Sequence, residues 1–405
     1  MPSSPTDTLS PHERFCLSPG ESFLLAALRI PLAASARAHL AGLASAVADW
    51  EMLAGLAHTL GVAALAHRNL TTSGIAGLLP ESVESQWRVA FTATLAKNTV
   101  LLSEAERILA SFDAADIACI CLKGALLAES VYPHAGTRPM SDIDLLVRGG
   151  AVEEAMAQMA HCGYALHPAV AATPSAPDRV YVKSPLGADA EWQVVVDLHD
   201  DLLTGRFGNR KVARLRLADV WERAAPAQVG QVPRLALAPE HELIFLCAHM
   251  SIHHGHLSLL SLCDVAYYAH ARRDKLDWDA VAEAAGHWGV RRAVGWPFRA
   301  AADLLEAPIP QSTLSGLGAD GRPPRVLRHL VHPRAPLGDP VRISQDAQLI
   351  VRSMFLDRID DRLRFFAQLA RRAGDGPPGA ARGSTSALAL PVRAVRAMLE
   401  LLARC

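Results

Sequence analysis

Lysine is scarce in this chain. It occurs only at Lys97, Lys123, Lys183, Lys211 and Lys275, and the 40 Lys+Arg are matched by 41 Asp+Glu for a net charge of −1. Without a basic surplus there is no general affinity for nucleic acid or an anionic membrane, because binding by counterion release needs one. Long hydrophobic runs are lacking too: no uninterrupted apolar stretch reaches the ~18 residues of a membrane span, so no transmembrane segment is expected. Met1 to Phe15 has neither the basic nor the apolar region of a signal peptide, and the expected location is cytoplasmic. Cysteine is thin: Cys16, Cys119, Cys121, Cys162, Cys247, Cys263 and Cys405 make an odd number with no C-x-x-C pair. That argues against a zinc ribbon or a dithiol redox motif and for buried free thiols in a reducing compartment. Glycine-rich dinucleotide fingerprints and Walker P-loops are absent.

What is present suffices for a large core, since 50% of the 405 residues are hydrophobic. Residues 1–20 are Ser/Pro-rich and read as a disordered N-terminus. From 21 to 115 the Ala/Leu-rich text keeps helical spacing, as at Leu40, Leu43, Val47 and Trp50, and predicts several short helices. The period then changes. Ile117 to Leu122 is a continuous apolar run that reads as a buried strand entering a helix at Lys123-Gly124. Ile143 to Val147, Arg179 to Lys183 and Trp192 to His199 read as further strands, and Val152 to Cys162 as a helix. Residues 116–237 thus form a small mixed α/β core, ending in a polar, Arg-containing stretch. Helical signals resume at Pro239, with acids Glu240 and Glu242 in the first turn, and 238–373 reads as a C-terminal helical domain with a helix over about 344–372. Residues 374–386 read as a flexible linker and 387–405 as an amphipathic helix. The predicted class is α+β: a small mixed sheet flanked by helical regions on both sides.

The chemistry is concentrated between Leu122 and Val147. Asp142 and Asp144 stand two apart where a strand begins, so both project to one face. Asp197 closes another apolar strand and can join them if the strands are neighbours. Three convergent carboxylates repel one another, and their coexistence calls for a cation; all-oxygen ligands select Mg²⁺ or Mn²⁺ over Zn²⁺. The Lys123-Gly124 turn between strand and helix supplies the other half of the site. A glycine lets backbone N–H groups approach a phosphate, the helix dipole adds positive potential, and Lys123 offers a point charge.

With Arg138-Pro139-Met140-Ser141-Asp142-Ile143-Asp144 these residues resemble the bacterial family of uncharacterised nucleotidyltransferases within the polymerase-beta-like superfamily. The likeness runs over about 95–310 and includes Asp197-Leu198-His199, Cys247-Ala248-His249 and Asp264-Val265-Ala266. It implies a mixed sheet flanked by helices, with Asp142 and Asp144 as metal-binding acids and Asp197 as the third catalytic carboxylate. Lys123, Gly124, Ala125, Arg138 and Ser141 are expected on the nucleotide phosphates. The implied reaction moves an NMP, with ATP the favoured donor, to a hydroxyl of a small molecule, natural product or peptide, releasing pyrophosphate. One departure stands out: the superfamily's usual Gly-Ser is Gly124-Ala125 here, so a phosphate-binding hydroxyl is missing.

Two other readings stay open. The acceptor is a protein side chain, in an AMP-transferring or toxin-like activity; or the chain is an inactive nucleotide- or partner-binding module. His199, His249, His253 and Asp264 are expected to face the substrate cleft. The cluster His249, His253, His254 and His256 invites a zinc reading, but Met250 and Ser251 stand where an H-E-x-x-H protease motif would place its Glu. Helix packing toward the cleft is therefore preferred. Asp200 and Asp201 read as solvated turn acids.

Overall fold

The fold is taken from a computed structural model, which describes residues 15–30, 34–171, 179–184, 192–203, 215–321, 335–337 and 345–362. The expected linker at 374–386 and amphipathic helix at 387–405 lie outside these residues, as does 1–14.

Seven strands form one mixed sheet: β1 (Cys119–Leu122), β2 (Ile143–Val147), β3 (Ala165–Leu166), β4 (Arg179–Lys183), β5 (Val194–His199), β6 (Ala225–Val229) and β7 (Val232–Ala236), in the order β3-β4-β5-β2-β1-β7-β6. β1 and β2 are buried along their whole length, which is why β1 reads as a continuous apolar run and β2 as one broken only by Asp144. β5 alternates between buried and half-buried residues. Cys119, Cys121, Ile143, Leu145, Val196 and Leu198 share a core with Leu101, Ile108 and Phe112. Those three lie on α5 (Glu81–Ala114), a helix of 34 residues that follows four short ones: α1 (Pro19–Ala27), α2 (Ala34–Ser45), α3 (Trp50–Thr59) and α4 (Ala63–Thr72). Ile120, Leu122 and Leu146 belong to a second core with Leu243 and Phe245 of α10 (Pro239–Ala248). In chain order α6 is Lys123–Ser130, α7 Val152–His161, α8 Pro168–Ala171 and α9 Leu217–Glu222. After α10 come α11 (Leu259–Arg272), α12 (Trp278–Trp288), α13 (Arg291–Leu305), α14 (Gln311–Gly316) and α15 (Gln345–Met354).

The second core also takes in Phe23, Leu53 and Trp87 from the N-terminal helices and Phe298 and Phe355 from the C-terminal part. Polar bonds join the same regions: Tyr267 Oη donates to Leu28 O at 3.1 Å and accepts from Asn69 Nδ2 at 2.8 Å.

Several expectations need correction. Helix α1 starts at Pro19, inside the stretch read as disordered, and Ser18 and Glu21 form a reciprocal capping box on it. The last N-terminal helix is long rather than short. The polar stretch before Leu237 holds the β6–β7 hairpin, whose antiparallel register pairs Val229 with Val232 around Gly230, at φ 53°. Asp200 and Asp201 are buried, and Asp200 faces Arg179 across 3.5 Å. Within the stretch read as one helix over about 344–372, α15 ends at Met354. The described cysteines are free, as expected, but Cys16 is exposed while the other five are buried. Among the described residues no single helix is long and apolar enough to cross a membrane.

Candidate active-site cleft

Strand register brings the acids together. β2 and β5 run parallel with Asp144 directly opposite Asp197, while Leu122, the last residue of β1, pairs with Asp144 on the other side. The β1–α6 junction therefore sits beside the acid pair. There Lys123 adopts a left-handed backbone, φ 42°, uncommon for a residue with a side chain. Its Nζ donates to Asp144 Oδ1 at 3.0 Å, and His199 Nε2 lies 3.0 Å from the same oxygen.

These contacts set the charges. Burial works against ionisation of Asp144, but Lys123 and His199 outweigh it and hold the carboxyl well below its usual range. For Asp197 the balance reverses: burial and the neighbouring charge of Asp144 outweigh the pull of His199 and Lys123 and push it up to about 6. Asp142 is also raised, by burial and then by Asp144. Asp144, Asp197 and His199 place one ligand atom each within 4.8 Å of one another. Two of the three acids expected from the sequence, Asp144 and Asp197, belong to this group. His199 stands with Asp144 and Asp197, while Asp142 lines the same cleft and accepts a 2.8 Å hydrogen bond from Ser141 Oγ.

The cleft, about 240 Å³ in volume, is bounded by the acids, by the Lys123-Gly124 turn and by His249, His253 and His254 across from them. Gly124 is demanded by crowding, since a Cβ there would lie 3.1 Å from Arg138 Nη1 and 3.4 Å from Met140. Ala125 does not line the cleft. Its side chain is 1% exposed and packs into the core beneath α5, so only its backbone is left for a phosphate.

Arg138 is engaged rather than free. Its Nε and Nη2 each donate to the Asp264 carboxylate at 2.8 Å, a bidentate pair, and Tyr132 Oη donates to Asp264 Oδ1 at 2.7 Å. Asp264 thus packs behind Arg138 and fixes it. Burial would lower the guanidinium's pKa, but Asp264 more than offsets this. From the opposite side Asn98 of α5 clamps the loop carrying Arg138: its Nδ2 donates to Arg138 O at 2.7 Å and its Oδ1 accepts from Met140 N at 3.3 Å.

The chain matches a family described as uncharacterised nucleotidyltransferases over residues 46–306, more than half its length. It belongs to that nucleotidyltransferase family. No curated protein and no solved structure matches it. The matched region contains every expected site residue, from Lys123 to Asp264.

Three further members of this nucleotidyltransferase's cleft region escaped the sequence reading. Asn98 is a polar residue on an otherwise apolar buried stripe of α5, between Trp87 and Leu101, and that interruption was its signal. His254 belonged to the histidine cluster but was not singled out for the cleft. Glu242 is fully buried on α10, and its carboxyl is pushed up to about 8 by burial against the opposing pull of Lys123. Thiol chemistry has no place here. Burial raises Cys247 and Cys263 well above their usual range, so neither supplies a thiolate.

Proposed function

We propose that this nucleotidyltransferase moves a nucleoside monophosphate, AMP from ATP, onto a hydroxyl of a small molecule, natural product or peptide, with Mg²⁺ or Mn²⁺ and release of pyrophosphate. The observation that carries the reading is the parallel register of Asp144 and Asp197, which sets two carboxylates side by side in a cleft closed by a strand–helix turn. The two carboxylates fit a hard divalent cation, with the His199 imidazole beside them as a neighbour rather than a ligand that such an ion favours. Two carboxylates and an imidazole converge, and the Lys123 ammonium 3.0 Å from Asp144 Oδ1 marks a place that favours positive charge. When bound, such a cation lowers the pKa of the acceptor hydroxyl and neutralises the triphosphate.

The chain's own groups have distinct parts. Asp197, opposite Asp144 in the parallel register, takes the proton of the acceptor hydroxyl. The acceptor oxygen then bonds to the α-phosphorus as the bond to the departing pyrophosphate oxygen breaks. Lys123 supplies a point charge for phosphate oxygens beside the N-terminus of α6. Arg138, held by Asp264 and Asn98, forms a rigid wall and retains Nη1 near Gly124.

The test is pyrophosphate release from ATP in Mg²⁺, together with mass spectrometry of the chain and of hydroxyl-bearing acceptors. Asp144→Asn is expected to lower the rate by at least about 10²-fold with the fold intact. Wild-type turnover in that variant overturns the assignment. Labelling of a protein side chain would select the protein-modifying reading, and ATP binding without turnover the inactive one.

A further inference from the structure

The acid pair faces a second cluster of a different chemical kind. Between α10 and α11 the backbone opens into a π-helical turn, His249–His254, closed by Gly255 at φ 74°. π turns are rare and concentrate at functional sites. This one presents three imidazoles to the cleft. His249 and His253 stack with ring centroids 4.5 Å apart, and His254 stands edge-on to both, at 4.7 and 4.9 Å. One nitrogen from each ring lies within 4.8 Å of the other two. His249 Nε2 meets Lys123 Nζ at 3.0 Å, whereas the rings of His253 and His254 have no hydrogen-bond partner among the described residues. Three imidazoles thus converge on one point of the cleft wall, with two of them hydrogen-bonded to no other side chain among the described residues.

We propose that His249, His253 and His254 form a second metal site, one that takes a borderline-soft divalent ion of the Zn²⁺ class and is distinct from the Asp144–Asp197 site. Imidazole nitrogens suit zinc, cobalt, nickel and copper, whereas carboxylate oxygens suit magnesium. Neutral imidazole is the form that ligates. Tetrahedral zinc with Zn–N of about 2.0 Å needs ligand nitrogens about 3.3 Å apart, so side-chain rotations that close the triangle by up to about 1.5 Å complete it. The turn itself is braced. Arg352 Nη2 of α15 donates to His254 O at 3.3 Å, and Ser251 Oγ donates to Ala293 O at 2.9 Å. Three protein ligands leave a fourth position open to the cleft, the arrangement that admits water or a substrate oxygen. Lys123 Nζ, 3.0 Å from both His249 Nε2 and Asp144 Oδ1, stands between the two sites.

This inference does not depend on nucleotidyl transfer, and its test reads metal directly. The full chain, stripped with chelator, is titrated with Zn²⁺ and separately with Co²⁺, whose visible spectrum reports four-coordinate geometry. One ion per chain is expected, with the intense absorption of tetrahedral Co²⁺, and retained in an Asp144→Asn/Asp197→Asn double variant. His253→Ala is expected to weaken binding by at least about 100-fold. His254→Ala, at the most exposed of the three rings, should do the same and serves if the first variant folds poorly. Binding that is lost in the acid variant but survives in both histidine variants overturns the proposal. Histidine-dependent binding of inorganic pyrophosphate without any binding of Zn²⁺ or Co²⁺ overturns it equally, in favour of an anion site.

Discussion

Glu242 shows how a single side chain can be misjudged from its sequence neighbours. With Glu240 it reads as one of two acids favourable in the first turn of a helix, and Glu240 does take a 3.2 Å hydrogen bond from Asp277 N at the surface. Glu242 instead points inward and has no exposure. Its carboxyl rises from 4.5 in the ordinary state to about 8 in the folded one. A raised carboxyl binds its proton more tightly when folded, so the stability it contributes is present at low pH and is lost as pH climbs through that window. Glu242→Gln keeps the shape and removes the ionisation. Thermal melts should show the variant gaining on wild type as pH rises from about 5 to about 9; a difference that does not change with pH would refute the assignment. The strand positions of Asp144 and Asp197 were legible, because each acid stands on a short apolar strand. The bond between Arg138 and Asp264, 126 positions apart, was not, since no local pattern encodes a pair that only the packing of α11 against the 135–140 loop creates.

Among the elements, strands buried on both faces announced themselves and weak ones did not. β1 appears in the sequence as an unbroken apolar run and β2 as one interrupted by Asp144 alone, whereas β6 and β7 carry Pro226 and Pro233 and little hydrophobic contrast. The π turn was equally hidden: a spacing of four between His249 and His253 fits an α-helix as well. Its closing residue can be tested. A Cβ on Gly255 would stand 2.9 Å from Arg352 Cγ on a backbone already left-handed. Gly255→Ala is expected to cost about 1–2 kcal/mol, read from urea denaturation. Unchanged stability would mean that the turn relaxes without penalty.

At the scale of the molecule, the sequence suggested helical regions on either side of an α/β core, and the sheet with flanking helices agrees with that class. Composition could not reveal how far the flanks share one interior. Phe23, Trp87, Phe245, Phe298 and Phe355 belong to a single buried cluster, and Arg29 reaches Glu306 at 2.6 Å. Such continuity favours one cooperative transition. Tryptophan fluorescence, with Trp87 in the N-terminal helices and Trp288 in the C-terminal ones, should melt together with far-UV circular dichroism. Two separated transitions would show that the N-terminal helices unfold on their own.

The ladder that pairs Asp144 with Asp197 also guards the assembly of the sheet. A strand displaced by one residue turns all its side chains over. β2 slipped against β5 would drive a carboxylate into the layer of Leu101, Ile108 and Phe112, where nothing compensates its charge, and would lift leucine or valine toward the polar cleft. The two acids on which the proposed site rests therefore penalise a one-residue slip of the strands that carry them, and a molecule with Asp144 opposite Asp197 is one whose central strands have been threaded correctly.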